Sequence, residues 1–195
     1  MQHPQVRQRL IRRNLRRHSG RRHEGGFIVG LLLGVMVASV IAIVAYDQYS
    51  ISSRKTRIET AVSQITTITS SAQKVFGPDN QFGDVTTAIA VQANVVPASL
   101  RTAGADTAQN TYDGAITFTP DSITAANDSL AMGYAHVRRA DCYEVVGQVQ
   151  RLYRRIVVGA TTVKPNDGVL DVTALATACD SSATSDLTFV FGRSQ

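Results

Sequence analysis

Cys142 and Cys179 are the only cysteines in the 195-residue chain, and they bound the covalent chemistry open to it. Joined, they would form a disulfide. Free, Cys142 could serve as a nucleophile with His136, six residues earlier, as its base. The C-x-x-C spacing of a redox pair is absent. His3, His18 and His23 are scattered among arginines without the spacing of a metal site. Asp79, Asp84, Asp106 and Asp121 stand singly and read as solvated turn formers. No glycine-rich phosphate loop opens a helix. The densest charge outside the first residues is Arg151, Arg154 and Arg155 around Tyr153, with Arg138 and Arg139 nearby. Such a cluster could meet DNA, acidic glycans or an acidic patch on another copy, and the plain alternative is a solvated helix face. Asp167, Asp171, Asp180 and Asp186 lie later in the chain, so contact between copies is the preferred of the sharper readings. No catalytic constellation emerges. The expectation is a protein that is not an enzyme and needs no cofactor and no metal.

The elements around these residues say more. Residues 1–26 hold eight arginines (7, 9, 12, 13, 16, 17, 21 and 22) and one acid, Glu24, a charge of about +7. The whole chain carries +5, so residues 27–195 are near −2. The basicity belongs to the first residues alone. Residues 27–46, FIVGLLLGVMVASVIAIVAY, contain no charge. Twenty helical residues rise about 30 Å, the thickness of a bilayer's hydrocarbon core. That is longer than the apolar region of a cleaved secretory signal. The arginines precede it, so the positive-inside rule keeps residues 1–26 in the cytoplasm and sends the rest outward. Nucleic acid is therefore not the expected partner of the basic stretch. Arg12-Arg13-Asn14-Leu15 loosely matches a twin-arginine export signal, but the best cleavage site for that route, near residues 43–45, is poor. An uncleaved single-pass anchor is the simpler alternative.

Apolar residues continue at helical spacing through Ile51, Ile58, Val62, Ile65, Ile68, Ala72 and Val75. Arg54, Lys55, Arg57, Glu59, Gln64 and Lys74 are assigned to the opposite face. Gly77-Pro78 then stops the helix, the glycine expected as a left-handed cap. The pattern predicts one helix over residues 27–76, apolar all round in its first half and amphipathic in its second. Beyond it, short helices are predicted at 86–94 and 169–179, strands at 115–119, 130–137 and 187–191, and a longer helix over 140–158. The remainder is thus an α+β head with an antiparallel sheet. Both cysteines fall on the exported side, where oxidation is expected, so a Cys142–Cys179 disulfide is predicted.

Glu24-Gly25-Gly26-Phe27, abutting the apolar run, resembles the prepilin peptidase site of type IV pilins. The long basic leader resembles the type IVb branch, which includes the toxin-coregulated and bundle-forming pilins. Val95-Val96-Pro97-Ala98-Ser99-Leu100 followed by Asn110-Thr111-Tyr112-Asp113-Gly114-Ala115-Ile116 is similar to the head of those pilins. Ala140-Asp141-Cys142 and Ala178-Cys179 resemble their disulfide-closed variable region. The resemblance implies a long N-terminal helix packed on an antiparallel sheet. It implies cleavage between Gly26 and Phe27, with N-methylation of Phe27. Residues 1–26 would be the leader, 27–51 the transmembrane and assembly half of the helix, and 52–195 the globular head. The implied partners are copies of the chain in a homopolymer filament, other pilins, a prepilin peptidase, a platform protein and an assembly ATPase. The prepilin would reside in the bacterial inner membrane, and the assembled pilus outside the cell. One departure is Leu31, which occupies the fifth position after Gly26, where the family usually has glutamate. That leaves a minor pilin or a type II secretion pseudopilin as the alternative within the same machinery.

Overall fold

The computed structural model describes residues 24–192, so most of the basic first stretch, with its eight arginines and three of the four histidines, lies outside the described residues. The chain divides into two compact units, one ending at Asp47 and the other beginning at Gln48. Helix α1 (Glu24–Phe76) contributes to both. In the first unit the described side chains from Gly30 to Ile43 are all exposed. This is the one helix among the described residues long and apolar enough to cross a membrane.

The second unit is an α+β head. Its elements in chain order are α2 (Thr87–Gln92), β1 (Ala108–Gln109), β2 (Ala115–Asp121), β3 (Ser129–Arg138), α3 (Arg139–Val149), β4 (Arg155–Val158), β5 (Thr161–Lys164), α4 (Val172–Asp180) and β6 (Thr184–Gly192). The strands form one antiparallel sheet in the order β1-β2-β3-β6-β4-β5. β6 therefore sits between β3 and β4, and its Leu187, Phe189 and Phe191 are buried. The core joins these to Ile58, Ala61, Ile65, Ile68 and Ala72 of α1 and to Ile116, Phe118, Met132 and Tyr134 of the sheet. Tyr153 packs on Phe189 and Phe191 with ring centroids 4.7 and 6.0 Å apart.

Several local details differ from expectation. α1 ends at Phe76, but Gly77 is not left-handed. A Cβ there would lie 2.3 Å from the Gln73 carbonyl oxygen, so close approach excludes a side chain, and the left-handed residue is Asn80. The predicted helix over 140–158 stops at Val149, and residues 155–158 are β4. Val145, Val149 and Ile156 satisfy a helical spacing, but Arg155-Ile156-Val157-Val158 is rich in β-branched residues and pairs with β6. A two-residue turn led by Gly159, at φ 59°, then returns the chain into β5. β1 and β5 have no counterpart among the predicted elements. Ile51 and Val75 are exposed, so the buried stripe of α1 is shorter than its apolar pattern.

The loop between β2 and β3 closes on one carboxylate. Asp128 accepts backbone N–H bonds from Ile123 at 2.8 Å, Thr124 at 2.8 Å and Ala125 at 2.9 Å. These bonds, the one from Ile123 above all, hold its pKa at about 2 against an ordinary 3.8. A depressed folded pKa contributes stability above about 3.8 that is lost as the pH falls through about 2. The amide resonances of residues 123–125 are therefore expected to titrate together at the acid end of that window. In Asp128→Asn this transition should vanish, and its survival would mean that another carboxylate orders the loop.

Candidate functional site

The residues singled out in the sequence fall into three places: the start of α1, its seating on the head, and the bridged pair of helices α3 and α4. Gly26 and Phe27 lie in the first turn of α1, and their side chains are outside the described ones. Leu31 is 55% exposed and offers apolar surface only.

The seating of α1 is more polar than its apolar stripe suggests. Arg54 Nε donates to Asp141 Oδ1 at 3.0 Å and Arg57 Nε to Asp141 Oδ2 at 3.0 Å. Gln64 Oε1 accepts from the Tyr134 hydroxyl at 2.6 Å and from the Thr111 N–H at 3.3 Å. Thr69 shares a hydrogen bond of 2.5 Å with the Tyr153 hydroxyl, and Gln73 donates to the Gly192 carbonyl at 3.1 Å. Arg54, Arg57 and Gln64 thus bond to the head instead of lying on the face opposite it, although Arg54 stays half-exposed. Each stands one turn before a buried residue (Ile58, Ala61 and Ile68), and positions i and i+4 share a face. Burial pushes the Tyr153 and Tyr134 phenols up. Tyr112 is raised by burial and by the neighbouring Asp141 carboxylate, with Arg57 opposing. All three phenols stay protonated at any physiological pH, so the hydrogen bonds of Tyr134 and Tyr153 join constant partners.

Cys142 and Cys179 are joined, their Cα atoms 5.7 Å apart, and among the described residues no cysteine is free. The bridge ties α3 to α4 and leaves no thiol for the nucleophile reading. His136 instead marks a bulge in β3. Its φ is 62°, the register shifts between Tyr134 and Val137, and its backbone N–H donates to Asp186 Oδ1 at 2.9 Å. α4 starts on Asp171, which accepts from the Thr173 and Ala174 N–H groups, both at 2.9 Å.

The basic cluster needs correction. It is not a helix face, since Arg151 lies in a 3-10 turn over Gln150–Leu152, Tyr153 is buried, and Arg155 begins β4. Its charges are largely matched within the head. Arg154 holds Asp167 through two hydrogen bonds of 2.8 and 2.6 Å, which keeps the Asp167 carboxyl below its usual range. Arg155 pairs with Asp121, which is therefore not a solvated turn former, and Arg139 lies 3.3 Å from Asp180. Two of the four acids expected to receive this cluster from another copy, Asp167 and Asp180, thus receive it within one chain, while Asp171 caps α4 and Asp186 accepts from the His136 N–H. Lys164 donates to the carbonyls of Gln150 at 2.8 Å and Tyr153 at 2.5 Å, and burial lowers its pKa. Among the described residues, no group of three or more His, Cys, Asp or Glu side chains is placed to hold a metal ion.

These features can be set beside known proteins. The family model described as PilS N terminal matches residues 55–192. A search of curated proteins finds no match. Among solved structures, the chain is similar to TcpA, a type IV pilin from Vibrio cholerae El Tor biotype, with a TM-score of 0.53 and 15% identity. That match covers 70% of this chain and 99% of TcpA. It is similar also to the type IVb pilin of Salmonella typhi, with a TM-score of 0.55, 16% identity and coverage of 70% and 99%.

Proposed function

The chain belongs to the PilS N-terminal family and has a type IVb pilin-like fold, and from that premise we propose that it is a structural subunit of a type IVb pilus, polymerising through the first half of α1 into an extracellular fibre. Family and fold are those of structural, non-catalytic proteins. The observation that carries the reading is the division of α1. Its described side chains from Gly30 to Ile43 are exposed and almost wholly apolar, while from Ile58 onward the same helix is built into the head. Apolar surface on that scale must be covered by something, first lipid and then the same segments of sister subunits.

In this reading residues 1–26 form the leader, residues 27–51 the transmembrane and assembly half, and residues 52–195 the head. A prepilin peptidase cuts between Gly26 and Phe27 in the bacterial inner membrane, and the new amine on Phe27 is methylated. A platform protein and an assembly ATPase then add the subunit to the filament beside other pilins. The head supplies adhesion, aggregation or cell contact.

Intact-mass and N-terminal spectrometry of assembled material should find a chain starting at methylated Phe27. Met1 retained there would leave only an uncleaved anchor carrying an extracytoplasmic binding domain. Gly26 replaced by a bulky residue should strand full-length protein in the membrane, because the protease must approach the backbone closely.

Leu31 favours one second reading, a minor pilin or a type II secretion pseudopilin. Without a carboxylate at that position no buried ion pair with a neighbour's amine can set register. Copy number along the filament distinguishes the two: a major subunit accounts for most of the mass, a minor one for a trace.

A further inference from the structure

The apolar core takes hold of α1 late. From Gly30 to Arg57 no described side chain of the helix is buried, and Ile58 is the first that is. What meets the head earlier is charge. Arg54 and Arg57 each place Nε 3.0 Å from a different oxygen of Asp141. Arg54 also donates to the Ala140 carbonyl and lies 3.5 Å from Glu144, while the Arg57 guanidinium sits 6.0 Å over the Tyr112 ring. Asp141 is fully buried and is the one charged residue among the buried polar residues described. It stands in the first turn of α3, where the helix N-terminus favours an anion. The next residue, Cys142, is bonded to Cys179, so the carboxylate is mounted on a stapled pair of helices.

We propose that Asp141, Arg54 and Arg57 form a latch that holds the stretch of α1 just before Ile58 to the head and can open while Ile58 and the core residues after it stay packed.

Two properties make it a latch rather than another packing contact. Each arginine holds a different oxygen of the buried carboxylate, so the loss of either leaves one oxygen without its donor, and partial release is unfavourable. Opening withdraws no core side chain of α1, because the core of α1 begins at Ile58, and it uncovers one face of the Tyr112 ring at the core's edge. The arginines themselves cover the carboxylate and are part-exposed, at 45% and 23%, so their departure admits the water that solvates it. Held in this way, the turn from Arg54 to Arg57 answers to one ion-paired cluster, separately from the stability of the sheet. The geometry stands whether or not the chain polymerises. If it does, the latch frees the stretch through which the apolar half is joined to the head as that half passes from lipid to sister helices.

The test uses the full chain in detergent micelles with spin labels on Ser53→Cys and Gln148→Cys. The native cysteines are bonded to each other, and both labelled positions are exposed. The parent should give one narrow distance. Asp141→Asn, and separately Arg54→Gln with Arg57→Gln, should raise the population of a second, longer distance at least tenfold. Hydrogen exchange in β3 and β6 should stay unchanged. A single narrow distance retained in both variants overturns the latch. So does a longer distance accompanied by faster exchange throughout the sheet, because the cluster would then be holding the fold and not the segment.

Discussion

A fragment beginning at Ser52 is expected to fold as a soluble monomer and to form no filament, even at concentrations at which the chain from Phe27 onward is expected to assemble. It keeps Ile58, Ala61, Ile65, Ile68 and Ala72, the whole of α1 that the core uses. It keeps the polar seat as well, from Arg54 and Arg57 on Asp141 to Gln73 on the Gly192 carbonyl. What it loses is apolar surface exposed within the single chain, including Leu31, Leu32, Leu33, Val35, Met36, Val37, Val40, Ile41 and Ile43. Covering such surface is worth about 25 cal/mol per Å², so a helix half outweighs the exposed ion pairs available between heads, worth about 0–1 kcal/mol each. The internal pairing of Arg154, Arg155 and Arg139 sharpens the expectation, because those charges are already matched within the head. Analytical ultracentrifugation with electron microscopy decides the matter. Long filaments from the fragment would place the driving contacts between heads.

The second large effect is at the bridge. Cys142→Ser is expected to cost the head about 2–5 kcal/mol, the usual loss for a native disulfide in a small exported domain. The bond spans 37 residues and ties α3 to α4 across β4 and β5. On the chain-entropy model, closing such a loop removes about 4 kcal/mol of disorder from the unfolded state. Cys142 and Cys179 are both buried against the core, so the serine also leaves a polar group in apolar surroundings. Denaturant unfolding of the two chains under non-reducing conditions measures the difference. A loss below about 1 kcal/mol would mean that α4 is held by Leu175 and its neighbours alone.

The sequence was most legible where period and punctuation agreed. α1 ends at Phe76 as Gly77-Pro78 requires, although for reasons of close approach rather than handedness. β2, β3 and β6 were visible in runs such as Leu187-Thr188-Phe189-Val190-Phe191, where β-branched and aromatic residues leave little choice. β4 was hidden because Val145, Val149, Leu152 and Ile156 fit helical steps, although Leu152 proves exposed and Ile156 buried in the sheet. Only the β-branched run before Gly159 carried the contrary signal. β1 has two residues and β5 a single buried one, Val163, too little pattern to read. The polar seat of α1 was misassigned for a different reason. Hydropathy places an arginine in solvent, while the i, i+4 relation of Arg54 to Ile58 and of Arg57 to Ala61 places it over the core. The within-head pairs of Arg154 and Arg155 depend on the meeting of segments 13 and 34 residues apart, which no local pattern encodes.

The place of β6 in the sheet has a consequence for the order of events in the chain's making. β6 follows every other strand in sequence yet lies between β3 and β4, so until it arrives those two strands have no partner for their facing edges. Its pairing closes loops of long sequence separation, the slow kind of step in folding. On the proposed route, in which the chain is threaded outward, it cannot complete its sheet midway. On that route the partly emerged head would stay open, then gain most of its cooperativity when residues 184–192 insert as a keystone. The same order leaves a ribosome-stalled or clipped chain lacking those residues with two bare edges of hydrogen-bonding groups, a ready substrate for chaperones and proteases rather than a weakened subunit.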